Sequence, residues 1–165
     1  MRDRPDLIEH LPRLRRYARA LTGDPNRADD LVQDTLERAL AKLELWQPGS
    51  DLRAWLFTLM HNLFVNQIRI RRPQETVMED ALDEPVSGGQ MEALDARDIH
   101  AALAKLPEEQ REILLLVGLE QFGYAEAAQV LGVPIGTVMS RLSRARERMR
   151  AMLAGGPTIK LKLVI

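Results

Sequence analysis

The apolar residues of the N-terminal part of the chain recur with the period of an α-helix. Spacings of four and three separate the first of them, which are Leu7, Leu11, Leu14, Ala18 and Leu21. This spacing predicts the buried face of an amphipathic helix. Proline is tolerated in the first turn of a helix, so Pro12 places the start of this helix near Leu11. Gly23 predicts its end.

A second helix follows with the same period. Asp24 and Pro25 predict its N-cap and a proline in its first turn. Its apolar stripe comprises Ala28, Leu31, Val32, Thr35, Leu36, Ala39, Leu40 and Leu43. Its opposite face is polar and carries Asp30, Gln33, Asp34 and Glu37.

A third helix is predicted from about Leu52 to Arg72, after a turn that begins at Trp46 and before Pro73, which stops it. Its inward face comprises Leu56, Leu59, Met60, Leu63 and Phe64. Its outward face comprises Asn62, Asn66, Arg69 and Arg72. Asparagine and arginine on an exposed helix face can contact bases and phosphates, although composition alone favours an ordinary solvated face. Trp55 has the same ambiguity, because core tryptophans outnumber those that stack on bases.

The C-terminal part predicts a helix over residues 91–105, a second one starting at Pro107, and then a helix-turn-helix. Small alanines precede Gly132, which makes the turn, and a last helix begins at about Pro134 or Ile135. Val138 and Leu142 face inward, and the outward positions are Thr137, Met139, Ser140, Arg141 and Arg144, followed by Arg146 and Arg148. The second helix of such a motif enters the major groove of DNA. A helical hairpin with an arginine-rich surface is the weaker alternative.

Net charge changes this picture only when it is divided along the chain. The 165 residues have a formal charge of −1, which taken alone argues against a nucleic-acid partner. Residues 75–98 hold eight acidic residues and one arginine, a charge of −7, which leaves +6 for the rest of the chain. Pro85, Ser87, Gly88 and Gly89 favour a flexible linker within this acidic stretch.

We therefore expect an all-α fold of two small helical domains, at residues 1–73 and 91–154, joined by a flexible acidic linker at residues 74–90. Residues 155–165 alternate like a β-strand, and their role stays open. No apolar run approaches ~18 residues and no signal peptide precedes the first helix, so we expect a soluble cytoplasmic protein. With no cysteine, no metal spacing among the three histidines and no phosphate loop, we expect neither an enzyme nor a cofactor.

Five segments, taken in order, resemble the extracytoplasmic-function (ECF) group of bacterial RNA polymerase sigma factors, the small members of the sigma-70 family. They are Leu11–Arg19, Ala28–Thr35, Leu52–Leu63, Leu106–Glu112 and Gly132–Leu142. The resemblance spans residues 6–154. It identifies the two domains as sigma region 2 and the helix-turn-helix of sigma region 4.

The resemblance implies three sets of binding residues. Asp30, Gln33, Asp34 and Glu37 would bind the clamp helices of the largest subunit of the polymerase core. Trp46, Arg53, Trp55, Asn62, Asn66, Arg69 and Arg72 would contact the −10 promoter element. Thr137, Met139, Ser140, Arg141, Arg144, Arg146 and Arg148 would read the −35 element. The polymerase flap and an anti-sigma factor are further implied partners, and membrane insertion is not expected.

Two positions depart from the family pattern. Met139 stands where the family often has a basic residue, which removes one phosphate contact or changes the base preference. His61 replaces a small residue, and we expect it to be packed or solvent-facing rather than catalytic.

Two other functions compete with a sigma factor. A simple helix-turn-helix regulator would leave the N-terminal motifs unexplained. A decoy that titrates an anti-sigma factor would not need Arg141 and Arg144, and no receiver domain follows in this sequence.

Overall fold

The computed structural model describes residues 5–71 and 91–154, with side chains described over residues 5–71 and 96–154. Within these ranges it contains seven α-helices, two short 3₁₀-helices and no strand. The helices are α1 (Leu11–Thr22), α2 (Pro25–Ala41), α3 (Leu52–Arg71), α4 (Met91–Lys105), α5 (Glu108–Gly118), α6 (Tyr124–Leu131) and α7 (Ile135–Leu153). The all-α class is confirmed. The linker, Arg72 and the tail at residues 155–165 lie outside the described residues.

Local signals place the ends of the first helices where the sequence predicts them. Pro12 lies in the first turn of α1, and Gly23 ends this helix with a φ of 69°, a left-handed conformation that glycine adopts at little cost. The Asp24 side chain accepts a hydrogen bond from the backbone N–H of Asn26 at 2.9 Å, so it caps α2 as expected. Pro25 occupies the first position of α2.

The N-terminal module, α1 to α3, is built around the predicted stripes. Leu14, Leu21, Leu31 and Leu56 are fully buried where α1 packs on α2 and α2 packs on α3. Leu40 is an exception, because its exposed fraction is 63%. The helix ends one residue later, at Ala41.

The C-terminal module, α4 to α7, contains the predicted helix-turn-helix. Gly132 has a φ of 65° between α6 and α7, which is the left-handed turn that this motif needs. Val138 and Leu142 are buried as predicted, against a core that includes Ile113 and Leu116 of α5.

The two modules pack against each other. Helix α3 contacts α6, and α1 contacts α4 and α5. The sequence predicts two modules on a flexible linker and does not predict this contact, because its residues come from opposite ends of the chain.

Candidate nucleic-acid interface

The N-terminal half of α7 presents the side chains that the sequence assigns to the major groove. Met139 has an exposed fraction of 53%, Ser140 is exposed, and Thr137 is half-buried. The Ser140 hydroxyl donates a hydrogen bond to the carbonyl oxygen of Thr137 at 3.2 Å. Apolar Val138 and Leu142 anchor the opposite face, so the polar face of α7 is turned away from the core.

Helix α7 carries five arginines, and the four that the sequence assigns to DNA differ in how far they are engaged by the fold. Arg144 and Arg148 are exposed. Arg141 is half-buried, and its Nη2 lies 3.7 Å from Glu109 Oε2 of α5. Arg146 is also half-buried, and its Nε is buried without a hydrogen-bond partner in the part of the chain that the structure describes.

The polar face of α2 forms one wall of a shallow cleft. Asp30, Gln33, Asp34 and Glu37 are all exposed, as the sequence predicts. Helix α3 supplies the other wall, and the Gln67 amide donates to Asp34 Oδ2 at 3.4 Å. The cleft encloses about 430 Å³ and is lined by Arg27, Asp30, Gln33, Asp34, Gln67, Ile70 and Arg71. Sequence reasoning did not include the residues of α3, because their proximity to α2 depends on how the two helices cross.

The remaining candidates for the −10 element divide between the surface and the core. Asn62, Asn66 and Arg69 are exposed along α3, as the sequence predicts. Trp55 is half-buried and packs against the hydrophobic core. Trp46 is half-buried in the turn before α3, and its indole N–H is buried without a partner among the described residues.

Arg53, at the start of α3, points into the C-terminal module. Its side chain is 21% exposed. The guanidinium lies 4.1 Å from the centre of the Phe122 ring, and Nη1 donates to the Glu120 carbonyl oxygen at 3.0 Å. Nη2 is 3.7 Å from Glu126 Oε2. The sequence indicated Arg53 as a DNA contact and contained no signal for these partners.

Aromatic rings form the centre of the contact between the modules. The Phe57 ring meets Tyr17 at 5.0 Å and Phe122 at 5.2 Å between centroids, both edge to face. Such pairs contribute about 0.5–1.5 kcal/mol each beyond the burial of their area. Phe57 and Tyr17 belong to the N-terminal module and Phe122 to the C-terminal one, so the cluster joins the two.

Polar contacts surround these rings. Arg16 Nη2 lies 3.1 Å from Glu120 Oε1, and His61 Nδ1 lies 2.5 Å from Glu112 Oε2. Arg111 donates to the Leu21 carbonyl oxygen at 2.9 Å and to three carbonyl oxygens in its own module. His61 is packed, one of the two outcomes that the sequence allowed.

Burial changes the titration of three groups in this region. Burial raises the pKa of Glu112, while the hydrogen bond from His61 opposes the rise. Burial, together with the nearby charges of Glu112 and Glu120, raises the pKa of Tyr17 well above its usual value. Burial lowers the pKa of Arg111. Water is therefore largely excluded from this region, and a charged group there needs a nearby partner to stabilise its charge.

Among the described residues, no cluster of three or more histidine, aspartate or glutamate side chains is placed to hold a metal ion. No helix in the same residues is long and apolar enough to span a bilayer.

Comparison with known proteins divides the chain in two. The family model for the Sigma2 domain of PhyR matches residues 7–61, and the model for Sigma-70, region 4 matches residues 96–149. The second match includes all seven candidates on α7. The first ends before Asn62, Asn66 and Arg69.

Individual proteins match over nearly the whole chain. The ECF RNA polymerase sigma factor EcfG of Rhodopseudomonas palustris (strain TIE-1) is 44% identical over 152 residues, covering 91% of this chain and 84% of EcfG. The sigma factor RpoE of Bartonella quintana, solved in complex with the anti-sigma factor NepR, superposes with a TM-score of 0.77 at 39% identity. That match covers 92% of this chain and 96% of RpoE. PhyRSL of Sphingomonas sp. Fr1, solved with NepR, gives a TM-score of 0.66 at 27% identity over 93% of this chain and 90% of PhyRSL.

Proposed function

The chain belongs to the ECF group of RNA polymerase sigma factors, and from that premise we propose how its surfaces divide the work of promoter recognition. The observation that carries the proposal is that one chain presents an acidic face on α2 and an arginine-rich face on α7, each on its own module. The factor acts by binding, in the cytoplasm, and has no catalytic step of its own. The division into domains at residues 1–73 and 91–154 is part of the same proposal.

The polar face of α2 binds the clamp helices of the polymerase core. Asp30, Gln33, Asp34 and Glu37 are exposed and suit a basic partner surface. Gln33 Nε2 donates to Glu37 Oε1 at 3.3 Å, one turn along the helix, which orders part of this face. The cleft between α2 and α3 adds the exposed apolar side chain of Ile70. The polymerase flap is the proposed second contact, on the C-terminal module.

The face of α7 reads the −35 element. Arg144 is exposed and can donate two hydrogen bonds to the O6 and N7 of a guanine, while Ser140 and Thr137 can reach bases or phosphates. Arg141 joins them once it leaves Glu109, and Arg146 and Arg148 contact phosphates further along the helix. Met139 offers apolar contact, for example with a thymine methyl group.

Helix α3 and the turn before it contact the opened −10 strand. Unstacking a base costs a few kcal/mol, so the opened strand needs a surface that stabilises it. Asn62, Asn66 and Arg69 form an exposed polar row that can hold the strand. Trp46, in the turn before α3, would stack on an unpaired base, and Arg53 and Arg72 would add positive charge. Trp55 packs on the core, so it supports this surface from beneath.

An anti-sigma factor is the proposed regulatory partner. The solved relatives RpoE and PhyRSL are both complexes with the anti-sigma factor NepR. Their similarity to this chain supports a partner of the same kind, one that contacts both modules.

Run-off transcription with purified polymerase core and a promoter library tests the proposal. We expect promoter-dependent transcripts that require the chain. A folded chain that yields none would contradict a working sigma factor, and tight binding to an anti-sigma factor in the same preparation would then favour a decoy.

A further inference from the structure

Two large apolar side chains lie on the otherwise polar surface at the start of α7. Ile135 has an exposed fraction of 48% and Met139 of 53%. The two residues are four apart, so they lie on the same side of the helix, one turn from each other. We call this pair the apolar strip. A single exposed apolar residue is common in soluble proteins, but this pair lies at the end of the helix that the motif inserts into DNA.

The apolar strip and the polar contacts occupy opposite flanks of the exposed face of α7. Val138 and Leu142 are buried, which fixes the side of the helix that faces the core. The helical period then places the apolar strip on one flank of the remaining surface, and Thr137 and Arg141 on the other. Helix α7 therefore offers DNA one flank that can make hydrogen bonds and one flank that cannot.

Gly136 leaves the backbone of α7 accessible beside the apolar strip. The residue is exposed, and a methyl group at its Cα would meet no atom of another part of the chain within 4 Å. Glycine is used where the backbone must come close to a ligand. The open space at Gly136 allows the helix to approach the floor of a groove, which brings both side chains of the strip within reach of the base edges.

The chemistry of the major groove limits what the apolar strip can contact there. The C5-methyl group of thymine is the apolar group that base pairs display in this groove, and the other groups that distinguish them are hydrogen-bond donors and acceptors. An apolar side chain gains nothing from a donor, an acceptor or a phosphate, whereas burial against a methyl group is favourable. The partner that fits the strip is therefore a thymine.

We propose that the apolar strip reads one thymine of the −35 element through its methyl group, with Met139 as the main contact. The proposal rests on the −35 role of α7 in the proposed function and adds the base that this flank selects. Met139 precedes Arg144 by five residues, which is about 7.5 Å along a helix that rises about 1.5 Å per residue. Since base pairs are about 3.4 Å apart, the thymine lies about two base pairs from the guanine that Arg144 contacts.

Replacing thymine by deoxyuridine tests the proposal, because this change removes the methyl group and keeps the base pair. The chain is assembled with polymerase core and bound to a promoter duplex recovered from the run-off library. Each thymine of the −35 element is replaced in turn, and competition binding gives the dissociation constant. We expect one replacement to weaken binding about fourfold, the effect of burying one methyl-sized group. A complex that responds to no replacement would overturn the proposal.

Variants of Met139 show whether this residue senses the methyl group. Met139→Ala should weaken binding to the thymine duplex about fourfold and abolish the response to deoxyuridine. Met139→Leu keeps an apolar side chain and should keep the response. Met152→Ala is the control, because Met152 is the other exposed methionine of α7, at its far end, with an exposed fraction of 37%. It should behave like the unchanged chain.

Two outcomes with Met139→Ala would contradict its role. One is a response to deoxyuridine as large as that of the unchanged chain, which would assign the methyl contact to another residue. The other is weaker binding by the variant when the unchanged chain does not distinguish thymine from deoxyuridine. That result would assign the apolar strip to a protein surface of the polymerase.

Gly136→Ala separates a role in binding from a role in stability. Alanine is favoured over glycine in a helix, and the added methyl group has open space, so urea denaturation should show a chain at least as stable as the unchanged one. The same methyl group would hold α7 away from the groove, so promoter binding should weaken and the response to deoxyuridine should shrink. Unchanged binding and an unchanged response would contradict the close approach that the proposal requires.

The inference and the proposed function fail in different ways. Absence of promoter binding by the assembled complex, together with absence of transcripts, would contradict the proposed function and the reading of thymine with it. Promoter binding that is weakened by Arg144→Ala but is insensitive to every thymine methyl group would contradict this inference alone.

Discussion

The polar side chains of α2 and those in the first half of α3 differ in what covers them. Asp30, Gln33 and Asp34 face solvent, whereas Arg53 and His61 are engaged by the C-terminal module. Both sets belong to helices of the same module, and the sequence assigns Arg53, like the three residues of α2, to a partner. The difference shows that the second module decides which of these surfaces is available.

The contacts of the two sets also differ in how much they contribute to the stability of the fold. Hydrogen bonds and ion pairs on an exposed helix face contribute little, typically about 0–1 kcal/mol, because water competes for them. Buried ionic contacts are sensitive to loss of one partner, because the other is left without compensation. Changes at the covered set should therefore alter the fold, and changes at the open set should alter binding alone.

The largest effect is expected where one partner of a buried pair is removed. His61→Ala leaves Glu112 buried without its hydrogen-bond partner, and the free energy of unfolding should fall by roughly 2–3 kcal/mol in urea denaturation. The loss stays below the usual range for a broken buried pair because Glu112 can take up a proton and because the modules can separate. His100→Ala, at an exposed histidine, is the control and should change stability by less than about 0.5 kcal/mol. Equal stability of the two variants would contradict a stabilising contact between His61 and the buried Glu112.

A second comparison lies within α7. Arg144 is exposed, whereas Arg141 is half-buried and lies near Glu109. Arg144→Ala should weaken binding of −35 DNA by about 1–3 kcal/mol if the residue reads a base. Arg141→Ala should cost less at equilibrium, because Arg141 must first leave Glu109. Glu109→Gln should recover part of that difference by tightening DNA binding of a chain that retains Arg141. Fluorescence anisotropy with a −35 duplex measures all three, and a larger loss for Arg141→Ala would invert the comparison.

Substitutions on the exposed face of α2 should weaken binding to the polymerase core without changing the stability of the fold. The double variant Asp30→Ala with Gln33→Ala should weaken affinity for free polymerase core by about 1 kcal/mol, the upper range for exposed charges. Its urea denaturation curve should overlay that of the unchanged chain. Unchanged core affinity in this variant would show that the docking surface lies elsewhere.

The smallest effect is a pH dependence that arises from Glu112. Because burial raises its pKa, the folded chain keeps a proton that the unfolded chain has lost above the ordinary carboxyl value of 4.5. Stability should therefore decline as the pH rises from that value to the raised pKa, and then level off. Glu112→Gln should flatten this part of the profile. A decline of the same size in the variant would assign it to other groups.

Much of the fold follows from local signals in the sequence. Pro12, Gly23 and Asp24 set the ends of α1 and α2 through backbone geometry that involves only neighbouring residues. Gly132 does the same for the helix-turn-helix. The helical period placed Leu14, Leu31 and Val138 in the core, because a helix repeats its faces whatever surrounds it.

The sequence predicted which helix faces carry the candidate site residues. It did not predict which of these residues the other module covers. The exposure of Asp30, Asn66 and Arg144 follows from the polar side of an amphipathic helix. The engagement of Arg53 does not, because its partners Glu120 and Phe122 belong to the other module. Arg53 and Glu120 are 67 residues apart, and Arg16 and Glu120 are 104 apart.

The sequence by itself therefore determined the period and the ends of the helices and the polar faces that they carry. Tertiary structure alone decided that Phe57, Tyr17 and Phe122 form one cluster, and that residues of the C-terminal module engage Arg53 and His61. The physical reason is the range of the forces involved. Helix period and caps act within a few residues, whereas burial and ion pairing depend on surfaces that meet only when the chain has folded.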